Sequence, residues 1–262
     1  MKFKICIPTY NAADYLDLCL YSLKKYSVWD HEYYVIMDSC KDNTEDVCKK
    51  YKVNYDKVNY SCPYKTRNHI QNIIDLSDDF YFFMTADDMF ASPNWDKNIH
   101  QHMHNEKDVI WSAQLSDYLL RECFNSIKEK NPDLNVEEFA SRWASGGINM
   151  DFGECGNSCY NFNEEIFLYK FKKIKKDSEI IYNDLNKEVL CNSNFLIHSY
   201  LWRELEGWPT INTHPYNPKL GKPNDKIFQE NIIKNWGKNI VAQDVLFFHF
   251  GGNNIERHKN DK

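Results

Sequence analysis

Two hydrophobic periods alternate along the first hundred residues. "KFKICIPTY" (2–10) is a short β-type run, and the Asn11 behind it suits a helix N-cap. From Ala12 onward the apolar positions Leu16, Cys19, Leu20 and Leu23 fall on one helical face. "EYYVIMDS" (32–39) reads as the next strand, followed by a helix over 44–51 and an extended piece over 53–60. A helix over 64–76 leads to the strand "DFYFFMT". Pro93 suits the first turn of another helix, and "DVIWSAQ" returns as a strand.

Strands joined by helical crossovers imply an α/β fold, with a Rossmann-type, mostly parallel sheet covered by helices on both faces. A strand buried on both faces accounts for the unbroken apolar run in "DFYFFMTADDM" (79–89). The same topology puts Tyr10, Asp38 and the pair Asp87 and Asp88 at the carboxyl ends of their strands, the edge at which open α/β sheets bind ligands. The second half is less regular. Between 115 and 188 only a helical stretch near 136–144 and a Gly/Asn/Cys-rich loop at 145–161 stand out. "NSNFLIHSYLW", "ELEGWPT", a helical "NDKIFQENIIKNW" and the strand "NIVAQDVLFFHF" follow, and the polar tail after Gly252 is expected to be mobile.

Composition narrows the function classes. With 42% hydrophobic and 15% aromatic residues, the 262-residue chain can bury a sizeable core. Its formal net charge of −6 argues against nucleic-acid binding. "KFKKIKK" (170–176) reads as a solvated face, with peripheral attachment to an anionic membrane or glycan as the rarer reading. No apolar run approaches a transmembrane length, and the N-terminus lacks the pattern of a secretory signal. The nine cysteines show no C-x-x-C spacing, and Cys155 and Cys159 have no second half for a zinc site. Reduced thiols and a cytoplasmic location are expected.

Adjacent carboxylates raise each other's proton affinity unless a positive group intervenes. A hard divalent ion with oxygen ligands would resolve the conflict at Asp87 and Asp88, although such pairs also occur in turns and caps. As a set, "IPTYNAADYLDLCLYSL", "MDSCKDNT", "TRNHI" and "TADD" resemble, in order and spacing, the family 2 glycosyltransferases of the GT-A fold. The resemblance covers roughly the first hundred residues. It implies a nucleotide-sugar-binding half at 1–114, an acceptor-binding and catalytic half of the same domain at 115–252, and a polar tail at 253–262.

Carried over, the resemblance puts Pro8, Thr9 and Tyr10 against the nucleotide, with Tyr10 on the base or ribose. It has Asp38 accept a hydrogen bond from the base and Arg67 approach the base or diphosphate. Asp87 would touch the ribose or the metal's waters, and Asp88 would coordinate Mn2+ (or Mg2+). "DSCKDNT" is one residue shorter than the family's usual loop. In the second half, "NDKIFQENIIKNWG" is similar to the helix that carries the family's general base. Asn224 replaces the first acid there and leaves Asp225, which a helix start would equally favour as a cap. His249 in "FFHFGG" matches a third metal ligand of some relatives. "CGNSCYNF" and "INTHPYNP" are candidate acceptor-side loops.

The implied activity is inverting transfer of a sugar from a nucleotide-diphosphate sugar, UDP-linked by preference, to a glycan or other hydroxyl acceptor. The alternative is an inactive GT-A-like nucleotide- or glycan-binding module. A nucleotidyltransferase or dinucleotide oxidoreductase would need a glycine-rich loop after the first strand, and "IPTYNAADY" has no glycine.

Overall fold

The computed structural model describes residues 1–115, 155–156, 158–173, 179–182, 194–210 and 224–250. The helix expected at 136–144, the segment "INTHPYNP", most of the 145–161 loop, two of the lysines in 170–176 and the tail lie outside the described residues. Strands β1 (Lys4–Thr9), β2 (Glu32–Asp38), β3 (Asn54–Val58) and β4 (Tyr81–Met84) form the parallel row β3-β2-β1-β4. Beyond β4 the sheet continues through β8 (Phe195–His198), β6 (Val109–Leu115), β9 (Asn239–His249) and β5 (Met89–Ala91), with β7 (Glu179–Tyr182) also pairing β9. Antiparallel β8 separates β4 from β6, and β6 with β9 is parallel again. The α/β class with helices on both faces is as expected.

Side-chain alternation divides the core. From β1 and β4, Ile5, Ile7 and Phe83 join one buried cluster, while Cys6, Phe82 and Met84 join the other. Helix α1 (Ala13–Tyr26) covers the first face through Leu16, Cys19, Leu20 and Leu23, all fully buried. Burying each of those leucines stabilises the fold by about 1.5–3 kcal/mol. Helix α2 (Thr44–Tyr51) follows β2, and α5 (Trp95–Gln101) supplies Trp95 and Ile99 to the same cluster.

The opposite face receives α3 (Pro63–Asn68), α4 (Ile70–Ile73), α7 (Ser199–Glu204) and α8 (Asn224–Lys234), with Phe228 and Ile232 buried. Helix α6 (Glu164–Phe171) packs Phe167 against Phe90 and Phe248 in a third cluster.

Several boundaries differ from expectation for local reasons. Asn11 does not cap α1: its φ is 45°, and its side-chain oxygen accepts the Lys41 N–H at 2.7 Å. The first turn is served instead by Asp42, whose carboxylate accepts the Ala13 N–H at 2.9 Å. The helix expected over 64–76 breaks at His69, whose ring is tied to Asp56 of β3 at 2.7 Å, and it ends where Ile74 turns extended. Pro93 precedes α5 rather than starting it, because Asn94 takes the left-handed N-cap position. β5, α6, β7 and α7 had no counterpart in the sequence pattern. β5 is three residues long, and its partner β9 lies at the far end of the chain.

Candidate functional site

Three sequence-distant segments meet at the carboxyl edge of the sheet. Parallel pairing of β1 with β2 and β4 brings Thr9, Asp38 and the turn after Met84 to one level. The Thr9 hydroxyl donates to Asp87 Oδ2 at 2.7 Å, and the Tyr10 N–H reaches the same oxygen at 3.4 Å. Asp87 therefore links the turn to the end of β1. Pro8 and Tyr10 are half-buried on that strand end.

Asp88 and His249 are brought together by sheet register. β5 pairs antiparallel with β9, so Met89 lies opposite His249, and the Phe250 N–H donates to the Asp88 carbonyl at 3.0 Å. The His249 ring Nε2 then lies 3.3 Å from Asp88 Oδ1. Asp87 and Asp88 are only 5% and 6% exposed, so this is a desolvated group of acids rather than a solvated turn.

Asp38 is held differently. Its carboxylate accepts the Thr66 hydroxyl at 2.7 Å and the N–H groups of Tyr60, Ser61 and Cys62 at 2.8, 3.0 and 3.2 Å. A carboxylate offers about four lone-pair sites, and these donors fill them. Burial opposes its charge, but the Thr66 hydroxyl and the three N–H groups outweigh that and hold its carboxyl below the ordinary range. Asp38 thus anchors the loop from β3 into α3. Ser39 beside it, at φ 58°, donates to Asn59 at 2.7 Å.

That anchored loop leads to Arg67. Its guanidinium lies 4.9 Å from the Trp208 ring centre and 5.8 Å from that of Tyr64. Trp208 in turn stacks on Phe228 of α8 at 4.2 Å. Asn68 secures the Trp208 backbone from both sides, accepting its N–H and donating to its carbonyl, each at 2.7 Å. Gly207 before it has φ 79°, and an added Cβ would lie 2.4 Å from Gln71 Nε2, so glycine is required. Asp225 is the second residue of α8, and its side chain lies outside the described residues.

Residues 4–119 match the family model described as Glycosyl transferase family 2. This N-terminal segment is similar to that family. No curated protein matches the chain. Among solved structures, the chain is similar to S. aureus TarS 1-349 in complex with UDP, at 15% identity and TM-score 0.53, covering 95% of this chain and 60% of that one. It is similar to the mannosyltransferase PcManGT from Pyrobaculum calidifontis in complex with GDP-Man and Mn2+, at 11% identity and TM-score 0.55, covering 96% and 57%. It is also similar to GalNAc-T7 with UDP, GalNAc and Mn2+, at 12% identity and TM-score 0.60, covering 95% and 44%. The fold is therefore that of GT-A glycosyltransferases, and the chain spans about three fifths or less of the length of these structures.

Does this site suit a divalent ion? Among the described residues, no three or more His, Cys, Asp and Glu side chains gather closely enough to hold one alone. Asp88 and His249 nevertheless form a two-residue donor set, one carboxylate oxygen beside one imidazole nitrogen. Mg2+ is commonly held by one or two carboxylates with water and substrate phosphates, and Mn2+ accepts imidazole as well. The pair fits such an ion.

The residues that sequence reasoning passed over are Thr66, Asn68 and Trp208. Thr66 and Asn68 lie within "TRNHI" and Trp208 within "ELEGWPT", so the quoted motifs marked their positions without their partners. No helix among the described residues is long and apolar enough to cross a membrane.

Proposed function

We propose that the chain transfers a sugar from a nucleotide-diphosphate sugar to an acceptor hydroxyl, with inversion and with a bound Mn2+ or Mg2+. The observation that supports it most is the meeting of Asp88 with His249 beside the Thr9–Asp87 link, at the edge where such folds bind nucleotides. Asp88 and His249 would hold the metal, and Asp87 would fix their turn against β1 or touch the ribose. The metal, when bound, offsets charge developing on the leaving diphosphate.

Pro8, Thr9 and Tyr10 would border the nucleotide, with Tyr10 against the base or ribose. Arg67, set by its stack on Trp208, would face the base or diphosphate. Asp38 would shape the base pocket through the loop it anchors, since its lone pairs are already taken. Asp225, at the start of α8, would take the acceptor proton. A UDP donor is favoured: two of the similar structures carry UDP, although PcManGT carries GDP-Man.

Titration calorimetry with UDP, GDP, CDP and TDP, each with Mn2+ and with chelator, tests this reading. One nucleotide should bind in a metal-dependent manner, and Asp88→Asn should remove at least about tenfold of that gain. Absence of binding by every nucleotide would overturn the proposal. A buried Asn224, where the resemblance leads one to expect an acid, favours a second reading as a binding module without turnover. Metal-dependent nucleotide binding without any donor hydrolysis would select it.

A further inference from the structure

Asp87 and Asp88 are presented by the two residues before them, and those residues are held from an unexpected side. β8 runs antiparallel to β4 with Phe195 opposite Met84, so Asn194 arrives beside Thr85. Its Oδ1 accepts the Thr85 hydroxyl at 2.7 Å and the Ala86 N–H at 3.4 Å. The Asn194 carbonyl accepts the Ser112 N–H at 3.0 Å, which ties it to β6, while the Thr85 N–H donates to the Cys6 carbonyl of β1 at 3.0 Å. Thr85 and Ala86 are thus clamped between β1 and β8, directly ahead of the two acids.

We infer that Asn194 is a positioning residue, whose side-chain oxygen sets the aim of the Asp87–Asp88 turn towards the metal and diphosphate. The inference rests on the reading proposed above for that site. Chemistry explains why an amide stands here. Asn194 is fully buried, and its Nδ2 has no hydrogen-bond partner, nor has the Ser112 hydroxyl. An unpaired buried donor is unfavourable, so a residue serving only to fill space would be apolar. Aspartate would supply the same acceptor oxygen, but it would bury a third carboxylate beside two others. Asparagine gives the acceptor without the charge.

The test compares wild type, Asn194→Ala, Thr85→Val and the double variant. Calorimetry uses whichever of UDP, GDP, CDP and TDP the wild type binds best, with Mn2+ and with chelator, beside a thermal melt for each protein. The expected result is a loss of about tenfold or more in the Mn2+-dependent gain for each single variant, with affinity in chelator unchanged within about twofold. The double variant should lose little more than Asn194→Ala alone, because both single variants remove the Thr85–Asn194 hydrogen bond. If folded Thr85→Val keeps the full Mn2+ gain, or if affinity falls equally with and without metal, Asn194 is only a core residue and the inference is overturned. A wild type with no Mn2+-dependent gain overturns the functional reading itself and this inference with it. A normal wild type with indifferent variants overturns the inference alone.

Discussion

Asp38 and Asp88 are the same residue type on the same edge of the sheet, yet their surroundings give them different work. Asp88 faces an imidazole, whereas Asp38 faces three N–H groups and a hydroxyl. Replacing Asp38 with asparagine would put an amide N–H2 against donors and remove the charge they stabilise. The variant should lose about 2–3 kcal/mol at neutral pH, measured by urea denaturation. Because the folded carboxyl is held below its ordinary value, this stability is present above that value and is lost as pH falls through the depressed one. Wild type and variant should therefore converge in acid, and a difference that persisted there would deny the carboxylate its role. Sequence showed that acids end these strands, since a carboxylate after an apolar run is visible as such. It could not show the donors of Asp38, because they come from the backbone of 60–62, a stretch without periodicity. Asn194 was equally hidden, lying among polar neighbours in "CNSNF".

At the scale of elements, most strands and α1 were legible because burial on one or both faces imposes a period. The pieces that were not legible are short and held by tertiary partners. β7 is an example, joined to β9 near a buried histidine. The His102 ring nitrogens lie 2.8 Å from Glu179, the first residue of β7, and 2.6 Å from Asp244 of β9; His104 reaches Glu179 at 3.1 Å. Only the imidazolium can donate to both carboxylates at once. Burial opposes that charge, but the bonds to Asp244 and Glu179 outweigh it, so the His102 pKa is raised. Burial likewise opposes ionised Glu179, and its bonds to His102 and His104 outweigh it, so its pKa is lowered. A raised histidine stabilises the fold fully below its unfolded pKa of about 6.5, and the contribution fades as pH rises through the folded value. The lowered Glu179 contributes above its unfolded pKa of about 4.3 and fades as pH falls through its own folded value. His102→Gln should therefore cost most near pH 5–6 and least in alkali, as followed by melting temperature across pH. A cost independent of pH would mean that the ring is neutral in the fold.

At the scale of the whole molecule, the sheet interleaves the two ends of the chain. Its order beyond β1 takes β4 from the first half, β8 from the second, then β6, β9 and β5 in alternation. The segment that matches the family model, 4–119, thus contains β5 and β6, although among the described residues β5 pairs with β9 alone, and β6 with β8 and β9 alone. Without those partners, the backbone groups of both strands lose their ladders, and Phe90 and Trp111 lose the aromatic neighbours Phe248, Phe195 and Phe228 from their clusters. A fragment of residues 1–119 should therefore fail to fold cooperatively. Near-ultraviolet circular dichroism and urea titration would show weak, gradual signals in place of a single transition. A sharp transition in the fragment would instead establish the N-terminal unit as separable. The same interleaving governs the site, because Asp88 enters from the first half and His249 from the last strand. Even a partly ordered fragment should lack the Mn2+-dependent gain in nucleotide affinity expected of the full chain, since its acids would have no imidazole to meet.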